Sequence, residues 1–326
     1  MAESLDATFF AFRKREQSGV LTRAAVAFVI VGAALVAAFM FAMWGSISTV
    51  MGWYAQMLSA ATQNPSAAPM IAPPAALFTL GPAYLLFIFA FFVLLAAFEA
   101  ACLRWMVRGE AGGGFMGLSL GADTWRVYAT YWVWFFSFIA GYLGLILMAI
   151  FLGGIGGAMG GESAAGGTIM IVMLACAAYL LAWLYVSVRL APAAATSIGR
   201  GRFSFFKAWS VTSGRFWAIF GAFLLLAVIY IVAGTILSTI MFSVVMAGAF
   251  SNLDPTMAAT NPDAFLQAYF TGIMSLFSNP TTIAVFVVFQ LISWALYVVF
   301  YILFYGVNAR AVEAALAEGK IERASA

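Results

Sequence analysis

Any chemistry this 326-residue chain performs must rest on the few charged side chains that border its apolar runs. Five stand out: Glu99, Arg104, Arg108, Arg189 and Arg310. A carboxylate that follows a long apolar run, as Glu99 does, is costly unless it is paired or hydrated. If Glu99 pairs with Arg189, with Arg310 or with both, one carboxylate against two guanidiniums leaves positive charge over. Guanidinium forks hold phosphate oxygens by paired hydrogen bonds. The chemistry open to this set is therefore capture of an anionic lipid headgroup at Arg189 and Arg310, with Arg104 and Arg108 at the rim. The competing reading is that these side chains simply snorkel to water with nothing bound.

What the chain lacks narrows the field further. It has no histidine, which removes imidazole metal sites, histidine acid–base catalysis and every nucleophile triad built on His. Its two cysteines, Cys102 and Cys176, form no CxxC pair, sit in or at the end of apolar runs, and read as small buried hydrophobes. No cluster of carboxylates suits a metal. The expectation is a protein that is not an enzyme and needs no cofactor. The basic residues form no nucleic-acid face. Only 8% of residues are charged and 65% are hydrophobic, against about 25% charged in soluble domains. This is the composition of an integral membrane protein.

The elements that must position these residues are apolar helices. Six spans are expected, at roughly 24–44, 80–103, 124–152, 168–190, 216–250 and 281–307. The first is long enough to be a span rather than the short apolar core of a signal peptide, and it can continue past Trp44 towards Trp53 and Tyr54. The most informative stretch is 198–226, where a basic, aromatic segment runs into span 5. Phe203, Phe205, Phe206, Trp209 and Val211 can sit at the acyl boundary while Arg200, Arg202 and Lys207 stay among headgroups. This makes Arg200, Arg202, Phe205, Phe206, Lys207 and Trp209 a candidate interfacial anchor, with 203–212 expected as a helix along the membrane and Ser213 as the N-cap of span 5. Charge at the cytoplasmic face is also what any such span carries. Weaker versions of the unit precede span 1, with Phe9, Phe10 and Phe12 beside Arg13, Lys14, Arg15 and Arg23, and span 3, at Phe115–Leu120. Asp123 is the expected cap of span 3, and Pro192 the stop or bend of span 4.

Between the spans, 60–74 is a proline-rich outer loop and 153–167 a glycine-rich one. Gly153, Gly157 and Gly161 are spaced for close helix contact, but glycines at this density favour a flexible turn. An amphipathic outer helix is expected within 264–277. Span 6 continues into a polar helix, 308–318, with Arg310 and Glu313 as a pair and Gly319 as its end. Inner loops and termini claim all 15 Lys and Arg residues, and the outer loops none, which puts both termini in the cytoplasm of a bacterial inner-membrane protein.

SLGADTWRVY at 119–128 aligns with SVTSGRFWAI at 210–219, and Glu99, Arg189 and Arg310 fall at matching places before Gly109, Gly199 and Gly319. The expected architecture is all-α: a single six-span domain of three helical hairpins, each led by a short interfacial helix, with a possible threefold repeat. At Ser210, Thr212, Gly214, Phe216 and Trp217 the chain resembles the bacterial multi-span membrane domain associated with glycerophosphodiester phosphodiesterases and its stand-alone YciC-type relatives. That resemblance implies a membrane-embedded module with a lipid-related role. It does not bring the phosphodiesterase activity, which needs a separate catalytic domain that is absent from this sequence.

The functional expectation is a non-catalytic membrane module concerned with lipids, envelope upkeep or assembly, with membrane lipids as partners and a homo-oligomer or another membrane protein as further possibilities. The alternative is a small transporter or channel for an apolar or lipid-like substrate. The expected spans lack charge in their central parts, which disfavours ions and charged solutes.

Overall fold

In an apolar medium every backbone N–H and C=O must be satisfied within its own segment, so long apolar runs resolve as helices. The computed structural model describes residues 6–13, 19–63, 72–159, 165–250 and 280–324, with a few residues between 260 and 272. These form a short helix α1 (Phe10–Arg13) and long helices α2 (Gly19–Gln63), α3 (Ala76–Leu103), α4 (Ala122–Met159) and α5 (Ala165–Leu190). Short helices α6 (Ala193–Gly199) and α7 (Ala208–Val211) follow, then long helices α8 (Phe216–Phe250) and α9 (Pro280–Ala317). Six helical stretches are long and apolar enough to cross a membrane: Gly19–Tyr54, Ala76–Arg108, Ala122–Ile155, Gly167–Gly199, Phe216–Val244 and Ala284–Ala317. The described part of the chain is thus all-helical, as its composition requires, apart from an isolated bridge between Phe115 and Leu118.

The residues divide into two compact units. One comprises Phe28–Leu94 and Ala227–Tyr301, and holds the C-terminal parts of α2 and α8 and the N-terminal parts of α3 and α9. Here α2 and α3 run antiparallel: Phe28 meets Phe91 at 6.0 Å, Phe39 meets Phe87 at 4.8 Å, and the Ser46 and Thr79 hydroxyls lie 3.3 Å apart. On α8 and α9, Tyr230 faces Tyr297 and Phe300. This unit contains no Lys or Arg.

The other unit comprises Met1–Ala27, Leu95–Leu226 and Ile302–Ala326, and carries all 15 of the chain's basic residues. Helices α4 and α5 pack along each other, with Trp183 against Gly141 and the Tyr179 hydroxyl donating to the Gly141 carbonyl at 2.8 Å. The centre of the unit is α6, all seven residues of which are buried. Its polar side chains can enter the core because they bond back to their own backbone: Thr196 to the Pro192 carbonyl at 2.7 Å and Ser197 to that of Ala193 at 2.9 Å. Gly199 lets α6 approach its neighbours closely, since a Cβ there would lie 3.0 Å from Val312 and 3.3 Å from Val107. The sequence offers this stretch only as the connector after Pro192.

Several expectations change. The lead-in to α4 is a tight turn rather than an interfacial helix. Met116 and Gly117 have φ of 51° and 96°, and the Leu118 N–H donates to the Phe115 carbonyl at 3.0 Å, the pattern of a type I′ turn. Before α8, residues 203–212 form a 3₁₀ turn (Phe205–Lys207) and the one-turn α7, in place of a continuous helix. The break from α8 falls where expected, with Gly214 at φ 79°. Ser213 stands too early to cap α8, whose first backbone bond runs from Ile219 to the Arg215 carbonyl. At α4 that position belongs to Gly121, which accepts from Trp125, while Asp123 is spent on ion pairs. The glycines at 153–157 do not end α4, which runs to Met159, because a helix keeps its own backbone paired where an apolar surrounding would not. No described residue approaches Gly153 closely. Helix α9 does end at Gly319, in a Schellman motif: Gly319 N–H to Leu316 and Lys320 N–H to Ala315. Most of 264–277 and of the outer loop at 64–71 lies outside the described residues.

Candidate functional site

The five expected site residues form no hydrogen bond or ion pair with one another; each has other partners. Glu99 is buried on α3, 5% exposed, and accepts from the Tyr131 hydroxyl of α4 at 2.5 Å, with Tyr305 of α9 as a further neighbour of that hydroxyl. Neither Arg189 nor Arg310 makes an ion pair with it; a phenol from the adjacent helix takes the place of the guanidinium. Arg310 lies over the Phe10 ring at 5.8 Å and pairs with Asp6 at 3.5 Å. Its counter-ion thus comes from the N-terminal segment, where the sequence had offered Glu313 on the same helix.

Arg104 and Arg108 serve the fold. After Leu103 the helix widens into a π turn, Arg104–Arg108, closed by Gly109 at φ 74°. Arg104 is 7% exposed and donates to the Ser119 hydroxyl at 2.9 Å and the Gly117 carbonyl at 3.1 Å, which ties down the turn before α4. Arg108 donates to the Ile198 carbonyl at 2.9 Å, at the C-terminal end of α6, where a cation also suits the helix dipole. It shares Asp123 with Arg126, at 2.8 and 2.6 Å.

The anchor residues divide in the same way. Phe205 is buried against Ala193, Ala208 and Trp134, and Val211 is fully buried. The side chain of Arg200 is 10% exposed and bonds the Ser204 hydroxyl at 2.9 Å, so neither it nor Phe205 stands among headgroups. Phe203, Phe206, Trp209, Arg202 and Lys207 do face outward. A 3₁₀ turn points adjacent residues to different sides, so the aromatic run splits between core and surface.

Arg189 remains, and it has a setting of its own. Its guanidinium lies 5.3 Å from the Tyr185 ring centre and 5.1 Å from that of Trp209. Nε and Nη2 donate to the Tyr185 hydroxyl at 3.1 and 3.0 Å, and Nη1 reaches the Thr212 hydroxyl at 3.5 Å. Among the described residues no carboxylate lies within ion-pair distance of it. The side chain lines a cavity of about 540 Å³ with Leu181, Leu184, Tyr185, Phe216, Trp217 and Phe220, and Gly214 at its edge. A cation in an aromatic frame beside an apolar wall can hold an anionic group that carries an apolar tail. Nothing in the sequence singles out Tyr185, although its i,i+4 spacing to Arg189 puts the two on one helix face.

No family model, curated protein or solved structure matches this chain.

Proposed function

We propose that this protein is a non-catalytic module of the bacterial inner membrane that engages lipid at the cytoplasmic leaflet. One observation carries the reading: Arg189, half-buried and without a carboxylate among the described residues, opens into a groove walled by apolar and aromatic side chains. The six apolar helices are read as three hairpins with both termini cytoplasmic, supported by the confinement of basic residues to one unit. The outward Phe203, Phe206 and Trp209, beside Arg202 and Lys207, fit the acyl boundary and headgroup layer next to this groove. The resemblance at 210–217 to the membrane domain associated with glycerophosphodiester phosphodiesterases agrees with a lipid-related role. Mass spectrometry of lipid carried through purification tests the reading. Stoichiometric phospholipid is expected in the wild type and less in Arg189→Ala; equal lipid in both would overturn it.

A second reading, transport of an apolar or lipid-like substrate, draws on the buried Glu99–Tyr131 pair, since an ionisable residue inside a membrane bundle often marks a working site. Lipid exchange between proteoliposomes checks it: transfer that Glu99→Gln abolishes would favour transport, and the absence of transfer would exclude it.

A further inference from the structure

We infer that the Arg189 groove selects phospholipid of net negative charge, held by its phosphate group, over zwitterionic phospholipid; this rests on the lipid reading above. The selectivity follows from how the cage is filled. The Tyr185 and Trp209 faces are where a choline or ethanolamine cation would stack, and the protein's own guanidinium already lies over both. Among the described residues no carboxylate beside Arg189 could receive a ligand's ammonium. Of the two acidic residues in the segment that follows α9, Glu318 is engaged by Arg215 and Lys320 and Glu322 by Arg202. A zwitterionic headgroup would bring its cation beside the like charge of Arg189, where the guanidinium already covers Tyr185 and Trp209 and no described carboxylate receives it.

An anion finds donors. Of the five N–H groups of Arg189, three are used, one each at Nε, Nη2 and Nη1, which leaves two to donate. Tyr185 accepts two of these bonds with its oxygen, so its own O–H can point outward as a donor. The first turn of α8, at Phe216 and Trp217, lines the same cavity, and the N–H groups there have no intrahelical acceptor. Opposite the donors, Leu181, Leu184 and Phe220 give an apolar wall for an acyl chain. Headgroup phosphate at Arg189 and chain along α5 and α8 together account for the mixed lining.

Native mass spectrometry of detergent-purified protein tests this with dioleoylphosphatidylglycerol and dioleoylphosphatidylcholine as probes, and with inorganic phosphate as competitor. The wild type should retain phosphatidylglycerol about tenfold more than phosphatidylcholine, because the phosphate bonds are common to both and the choline cation meets the like charge of Arg189. Arg189→Gln should erase that preference. Leu181→Trp, which leaves Arg189 in place and fills the apolar end, should weaken retention of phosphatidylglycerol. Equal retention of the two lipids by the wild type, or a preference that survives Arg189→Gln, overturns the selectivity. Full displacement by millimolar inorganic phosphate would instead assign the site to free phosphate and also overturn it. Retention of neither lipid overturns the lipid reading itself.

Discussion

For single residues, the consequences are steric and polar. Gly114 has φ 91°, and a Cβ there would lie 2.1 Å from the Leu118 carbonyl oxygen, a backbone atom with no freedom to move aside. Gly114→Ala should cost about 1–3 kcal/mol through clash and strain, whereas Gly113→Ala, with open space around it, should cost far less. Thermal unfolding midpoints in detergent compare the two. Tyr131→Phe removes the donor to a buried carboxylate and should cost about 1–3 kcal/mol by the same assay. What was legible here was residue type. Glu99 reads from sequence as a carboxylate in need of a partner, and it has one. That the partner is a tyrosine on the next helix depends on which faces of α3 and α4 meet, and apolar helices carry little periodic signal to set those faces.

Among the helices and their connections, the return segment after α9 fastens the stretch that leads into α8. Lys320 donates to the Ser213 carbonyl at 2.9 Å, Glu318 pairs with Arg215, Glu322 with Arg202 at 3.0 Å, and the Ala324 N–H bonds the Gly199 carbonyl. The hydrogen bond from Lys320, with the charge of Arg215 beside it, holds the Glu318 carboxyl below its ordinary value of 4.5. A carboxyl lowered in the folded state adds stability above its unfolded value, and that stability is lost as pH falls through the folded one. Limited proteolysis should therefore find residues 318–324 protected at neutral pH and released once the pH drops below the ordinary carboxylate range. Glu318→Gln should show the released pattern at both. Helix existence was legible throughout, because length and apolarity alone demand it. The short pieces were not: α6 is buried by contacts from helices distant in sequence, and the turn at 115–118 depends on a non-glycine residue, Met116, at positive φ.

Across the complete fold, the separation of charge makes a topological prediction. Reporter fusions after residues 66, 163 and 258 should read as outside, and fusions after 112, 202 and 320 as cytoplasmic. An inside signal from any of the first three breaks the six-span arrangement. The fastening of 199–215 by 318–324 also sets a schedule for biosynthesis. Ser213 leaves the ribosome 107 residues before Lys320, its partner. At about 5–20 residues per second, the edge of the Arg189 groove waits roughly 5–20 s for the segment that holds it. During that interval span 5 enters the bilayer with its lead-in unfastened, so the groove is among the last features of the nascent protein to take its shape, and it does so amid lipid.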